Sequence, residues 1–242
     1  MTESATAPVP AKGLFARALG VFLSPGATFQ SVVAHPKPAG ILLLAILVIG
    51  VSTAGPQFTA TGRQMLLDTR VKAAEASGQT LTEAQIATIE KFMVYAPVLT
   101  MVSIFVITPI VVMIFTGFYF LIFNAIMGGT ATFRQVLAVV SHSSVIGAVG
   151  TAIGMPIMYA QGKLSQVGPF NLRALAAGAD PDSFISHFLG AIGIFQIWGI
   201  VVTSIGLAVL YRRKMGGITV TLLIIYLAFT ACMTYFFGKY MA

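Results

Sequence analysis

The chain has 242 residues, of which 57% are hydrophobic and only 9% charged, with a formal net charge of +7. An ordinary soluble chain carries about 25% charged residues, so this composition excludes a soluble domain and predicts an integral membrane protein. The alternating segments of a transmembrane β-barrel are absent from the pattern, the basic residues sit in short segments between apolar runs and so do not form a nucleic-acid surface, and the single cysteine, Cys232, can form no internal disulfide.

Residues 1–12 are rich in Pro, Ala and Thr without periodicity and read as a disordered tail. From Leu14 the spacing changes. Leu14, Phe15, Ala18, Leu19, Phe22 and Leu23 recur at helical intervals, with Lys12 and Arg17 placed to reach lipid phosphates. This predicts a helix lying in the membrane interface. Ser24 followed by Pro25 reads as a helix start, since a serine oxygen can accept an orphan amide and proline loses nothing at the first helical position. A second short helix then runs to about His35, so residues 13–38 are expected as cytoplasmic interfacial helices.

The first span is about Ala39 to Phe58. The basic segment ahead of it is too long for a signal peptide and lacks a small-residue cleavage site, so it is expected to stay as an uncleaved anchor. Residues 59–94 form the largest polar segment, two helical stretches separated by Ser77 and Gly78, with Thr82 and Gln85 at capping-box spacing. An extracytoplasmic helical hairpin is expected there. The run from Tyr95 to Met127 is uncharged and about 50 Å long if helical, enough for one long helix or two short ones. Charge decides between them, because positive residues accumulate on the cytoplasmic side. One helix places Lys12, Arg17, Lys37, Arg134, Arg212, Arg213 and Lys214 on a single side against only Glu3, and leaves the other seven basic residues with the six acids Asp68, Glu75, Glu83, Glu90, Asp180 and Asp182 on the other. A single long helix, tilted or protruding and kinked near Pro109, follows.

The third span is about Val136 to Tyr159. Gly150 and Gly154 are four apart with Ser144, Gly147, Ala148 and Ala152 nearby, a small-residue face suited to close helix packing. After an outer loop, Asp182 is placed to cap a fourth span from about Ser183 to Tyr211, and Ile218 to Phe237 forms the fifth. The fold class is therefore all-α: a polytopic membrane protein whose five-span domain covers residues 39–238. Its N-terminus is expected in the cytoplasm and its C-terminus across a bacterial inner membrane.

Chemistry-bearing residues are few. His142 stands in a run with Ser141, Ser143 and Ser144, and with Asn124 it can line a polar path; the alternative is that the serines bond their own helix and His142 makes one interhelical hydrogen bond. No acid lies within any span to partner His142, which favours the alternative. His35, His142 and His187 lie at different levels and cannot form a metal site. No serine elbow, paired membrane aspartates or phosphate-binding loop is present. A non-enzymatic protein without cofactor or metal is expected. Trp198 lies about 20 Å from the basic cluster Arg212, Arg213 and Lys214, so it is expected at mid-depth, packed between helices with its indole N–H bonded. The cluster, with Lys12 and Arg17, is expected on anionic headgroups at about 1 kcal/mol per charge.

Three stretches resemble the Yip-domain family of Ypt/Rab-interacting membrane proteins, specifically its short prokaryotic members: "ALGVFLSPGATFQSVVAHPKP" ahead of the first span, "TFRQVLAVVSHSSVIGAVGTAIGMP" in the third, and "GIFQIWGIVVTSIGLAVLYRRK" in the fourth, with Phe195, Trp198, Gly206 and Leu207. The resemblance implies five helices with a cytoplasmic N-terminus, and in eukaryotic members binding of prenylated Rab GTPases. The expected function is a scaffold or accessory subunit that organises membrane lipids or a larger complex, with other membrane proteins or a second copy as partners. A transporter or channel component near His142, and a small-GTPase-binding factor, are the alternatives.

Overall fold

The computed structural model describes residues 10–162, 164, 168–176, 178–180 and 183–237; most of the expected N-terminal tail, Glu3 and Asp182 lie outside them. The described chain is helical throughout: α1 (Leu14–Leu23), α2 (Pro25–Ala34), α3 (Pro38–Ala54), α4 (Ala60–Ala76), α5 (Glu83–Met93), α6 (Ala96–Phe120), α7 (Phe133–Ala160), α8 (Phe184–Ala191), α9 (Ile194–Tyr211) and α10 (Met215–Phe237). Five stretches are long and apolar enough to cross a membrane: 38–58, 96–126, 133–160, 194–211 and 215–237.

Local chemistry sets the starts. Proline opens α2 and α3, where its missing amide is not needed. Side-chain oxygens of Thr59, Thr82, Thr132 and Ser183 cap α4, α5, α7 and α8, and Thr82–Gln85 and Thr132–Gln135 are complete capping boxes. Tyr95 to Met127 contains one span. α6 carries Pro109 in its interior and continues into a π-helical turn, Leu121–Ile126. Its 31 residues measure about 46 Å along the axis, longer than the ~30 Å hydrocarbon core.

The fourth span departs from the expected continuous helix. Ile192 and Gly193 are extended, with φ −93°, ψ 100° and φ −90°, ψ 144°, and they separate α8 from α9. The loop before α8 supplies the missing partners: Leu172 N–H donates to Ile192 O at 3.0 Å and Ile194 N–H donates to Phe170 O at 2.8 Å. With these bonds the interruption leaves neither group unpaired, as a nonpolar surrounding requires.

α7 is the central helix, packed on α3, α9 and α6. Its Val136, Val139 and Ile146 join Val21 and Phe29 and Val32 of the N-terminal helices, and Leu207 of α9, in a core where all seven are fully buried. α1 and α2 therefore do not simply rest on the surface. They fold back on each other about Ser24, with Gly20 so close to Thr28 that no side chain fits between them, and with Lys12 N–H donating to Ser31 Oγ at 3.3 Å. The turn at Pro25 reaches the Trp198–Ile205 stretch of α9, while Val33 and Ala34 reach Val209–Arg213. The pair is a helical hairpin that runs about 14 Å alongside α9. The packing of this pair comes mainly from α2. Its Thr28, Phe29, Ser31 and Val32 all face inward, and Phe29 fills the space left by Gly206. Only α1 keeps an outward stripe, Phe15, Leu19 and Leu23, at 72%, 63% and 83% exposure.

Alternating span directions bring Lys12, Lys37, Arg134 and Arg212–Lys214 to one end, the basic end; the acids among the described residues, Asp68, Glu75, Glu83, Glu90 and Asp180, are all at the other.

Candidate functional site

At the basic end, α2, the 128–135 segment and the end of α9 frame an open pocket of about 810 Å³. It is built by a chain of bonds that begins in the π-helical turn. Asn124 Nδ2 donates to Ala131 O at 2.6 Å and Tyr211 OH donates to Asn124 Oδ1 at 2.8 Å. Tyr211 stacks on Phe123 at 5.0 Å between centroids. Gly129 makes this possible, because a Cβ there would strike the Tyr211 ring. Gln135, whose Oε1 completes the Thr132 capping box, also donates through Nε2 to Val33 O at 3.3 Å and so ties α7 to the hairpin.

The charges of this cavity come from Arg212 and Arg213. Arg212 holds a left-handed conformation, φ 51° and ψ 44°, and turns the chain out of α9. Arg213 Nη2 donates to Met127 O at 2.9 Å, and Lys214 is exposed. Two guanidiniums, no carboxylate and several amide dipoles make the lining suited to an anion. Sequence reasoning identified the cluster but not the concavity, which depends on the Tyr211–Asn124 bond across 87 positions.

The predicted polar path is not assembled. Asn124 is committed at the π turn, Ser144 Oγ donates to Ser141 O at 2.8 Å, and His142 Nδ1 bonds Ala138 O at 2.6 Å. All three instead satisfy local backbone or the Tyr211 tie, and none lines a cavity described here. His142 bonds its own helix rather than a neighbouring one. Arg17 is corrected as well: it is 7% exposed, turned inward against α7, because the outward face of α1 is taken by Phe15, Leu19 and Leu23. Lys12 is half-buried, its Nζ donating to Thr28 Oγ1 at 3.4 Å.

The small-residue row of α7 also divides. Only Gly150 meets another span, with a Cβ there 2.6 Å from Phe195 Cγ of α9. Gly154 faces Pro169 and Phe170 of the outer loop, and Gly147 has open space above it. The row forms one wall of a second cavity, about 480 Å³, bounded by Thr53, Phe170, Asn171 and the extended break at Gly193, with Gln196 beside it. Trp198 is half exposed on the outward face, in an apolar groove with Pro25 and Ile205. It is not packed between helices, because α9 turns Val202, Thr203, Gly206 and Leu207 inward and leaves the opposite side outward. Among the described residues no group of three His, Cys, Asp or Glu is placed to hold a metal ion.

The family model described as the Yip1 domain matches residues 19–237. No curated protein matches the chain, and no solved structure matches it.

Proposed function

Since the chain belongs to the Yip1-domain family of membrane proteins, we propose that it works through interactions rather than catalysis, as a scaffold or accessory subunit that gathers anionic lipids or holds a larger membrane complex together. The observation that supports this most is the cationic cavity at the basic end, lined by Arg212, Arg213 and Tyr211, the last held by its bond to Asn124. In this reading the basic end faces the cytoplasm of a bacterial inner membrane, where anionic headgroups concentrate. Arg212, Arg213 and Lys214 contribute about 1 kcal/mol each near such a surface.

The test is reconstitution into phosphatidylcholine vesicles with and without phosphatidylglycerol, followed by analysis of the lipids retained after extraction. Wild-type protein is expected to retain phosphatidylglycerol preferentially. The triple variant Arg212→Gln, Arg213→Gln, Lys214→Gln is expected to lose most of that preference, on the order of a hundredfold in affinity for three charges. Equal retention by both proteins, with strictly monomeric protein and no partner after cross-linking in native membranes, would sink the reading.

A further inference from the structure

Four buried side-chain atoms lack a hydrogen-bond partner among the described residues, and three of them lie on α1 and the helix it packs against: Arg17 Nε, Ser141 Oγ and His142 Nε2. Ser141 and His142 are adjacent on α7 and fully buried, and Arg17 is 93% shielded and within electrostatic range of His142. A guanidinium keeps its charge at any accessible pH, and a buried N–H of such a group left without an acceptor is unfavourable. The usual remedy is a carboxylate, but the acids among the described residues are all at the opposite end of the spans. An ionisable residue within a membrane bundle marks a functional site by default.

The hydrogen-bonding pattern narrows what fits. His142 Nδ1 sits 2.6 Å from Ala138 O, a bond that requires the proton on Nδ1 and leaves Nε2 with a lone pair. Arg17 Nε–H and the Ser141 hydroxyl are donors. The three atoms thus present a positive charge, two donors and one acceptor. We propose that Arg17, Ser141 and His142 bind a phosphate monoester as its monoanion, whose oxygens accept from Arg17 and Ser141 while its one remaining O–H donates to His142 Nε2. A phosphodiester has no phosphate O–H and leaves His142 unpartnered. The three atoms are enclosed in the structure described, so binding requires α1, of which Arg17, Gly20 and Val21 are the buried residues, to move outward. The same chemistry is offered by a lipid of the phosphatidic acid type and by soluble orthophosphate. The lipid form rests on the anionic-lipid reading above; the site itself does not.

The test is thermal unfolding and native mass spectrometry of the full-length protein in uncharged detergent, with phosphatidic acid, phosphatidylglycerol or inorganic phosphate added. Wild-type protein is expected to bind phosphatidic acid at least about tenfold more tightly than phosphatidylglycerol, or to be stabilised by inorganic phosphate if the natural source is soluble. Arg17→Gln is expected to weaken either ligand at least about tenfold, and Ser141→Ala less. His142→Ala is expected to abolish the preference for monoester over diester while leaving charge-dependent binding. Should Arg17→Gln fail to fold, the Ser141 and His142 variants carry the test. The triple Gln variant at residues 212–214 is expected to retain the monoester preference, which separates failure of this site from failure of the lipid-gathering reading. No preference for phosphatidic acid together with no response to phosphate, or an unchanged preference in His142→Ala, would overturn the proposal, as would density showing only water bridging Arg17 and His142 at saturating ligand.

Discussion

Gly147, Gly150 and Gly154 lie on one row of α7, yet a methyl group added to each meets open space, the Phe195 ring and Pro169 respectively. Gly147→Ala is therefore expected to be neutral or stabilising by up to about 1 kcal/mol from helix propensity. Gly150→Ala is expected to destabilise by about 1–3 kcal/mol, because Phe195 must leave its rotamer or α9 must move. Melting temperatures in a mild uncharged detergent distinguish the two, and equal shifts would show that the α7–α9 contact is looser than described. Arg212 offers a test of opposite sign. Its φ of 51° disfavours any residue with a Cβ by about 1 kcal/mol, so Arg212→Gly is expected to raise stability in the same detergent, where no anionic lipid rewards the charge. Lowered stability there would mean that the side chain makes a contact outweighing the backbone relief.

α8 and α9 show where reading a helix from its pattern stops working. The apolar run from Ser183 to Tyr211 has nothing that forbids one continuous span, and Gly193 alone is an ordinary residue in a membrane helix. What ends α8 is the pairing of Ile192 and Ile194 with Leu172 and Phe170, some twenty positions upstream, and no local pattern contains it. By contrast, the capping box at Thr82, the single long span over Tyr95 to Met127 and the count of five spans were legible, because each depends on neighbours in sequence or on summed hydropathy and charge. Arg17 and Trp198 were misplaced for one shared reason. A charge or an indole can face inward or outward on the same helix, and only the packing of α2 against α7 and α9 decides which. The pairing at the break is testable through Ile194→Pro. Proline is compatible with the first position of α9 but removes the N–H that donates to Phe170 O. α9 should stay helical by circular dichroism, while the Leu172 amide exchanges about fivefold faster or more, as loss of roughly 1 kcal/mol implies. Unchanged exchange would show that the loop is held by other contacts.

For the whole molecule, the separation of charges sets the expected orientation, with the α4–α5 hairpin and Arg212–Lys214 on opposite sides. In a Cys232→Ala background, which removes the one native thiol, Gly78→Cys should be labelled by a membrane-impermeant maleimide on intact cells and Lys214→Cys only after lysis. The reverse pattern would invert the topology, and labelling of both would indicate dual insertion. The hairpin of α1 and α2 adds a spatial consequence. Two helices of about 10 Å diameter occupy roughly 160 Å² of cross-section, and α2 stands beside the half of α9 that leads to the basic end. In the orientation expected above, this cross-section is added to the cytoplasmic leaflet alone, and the leaflet that gains area is expected to become the convex one.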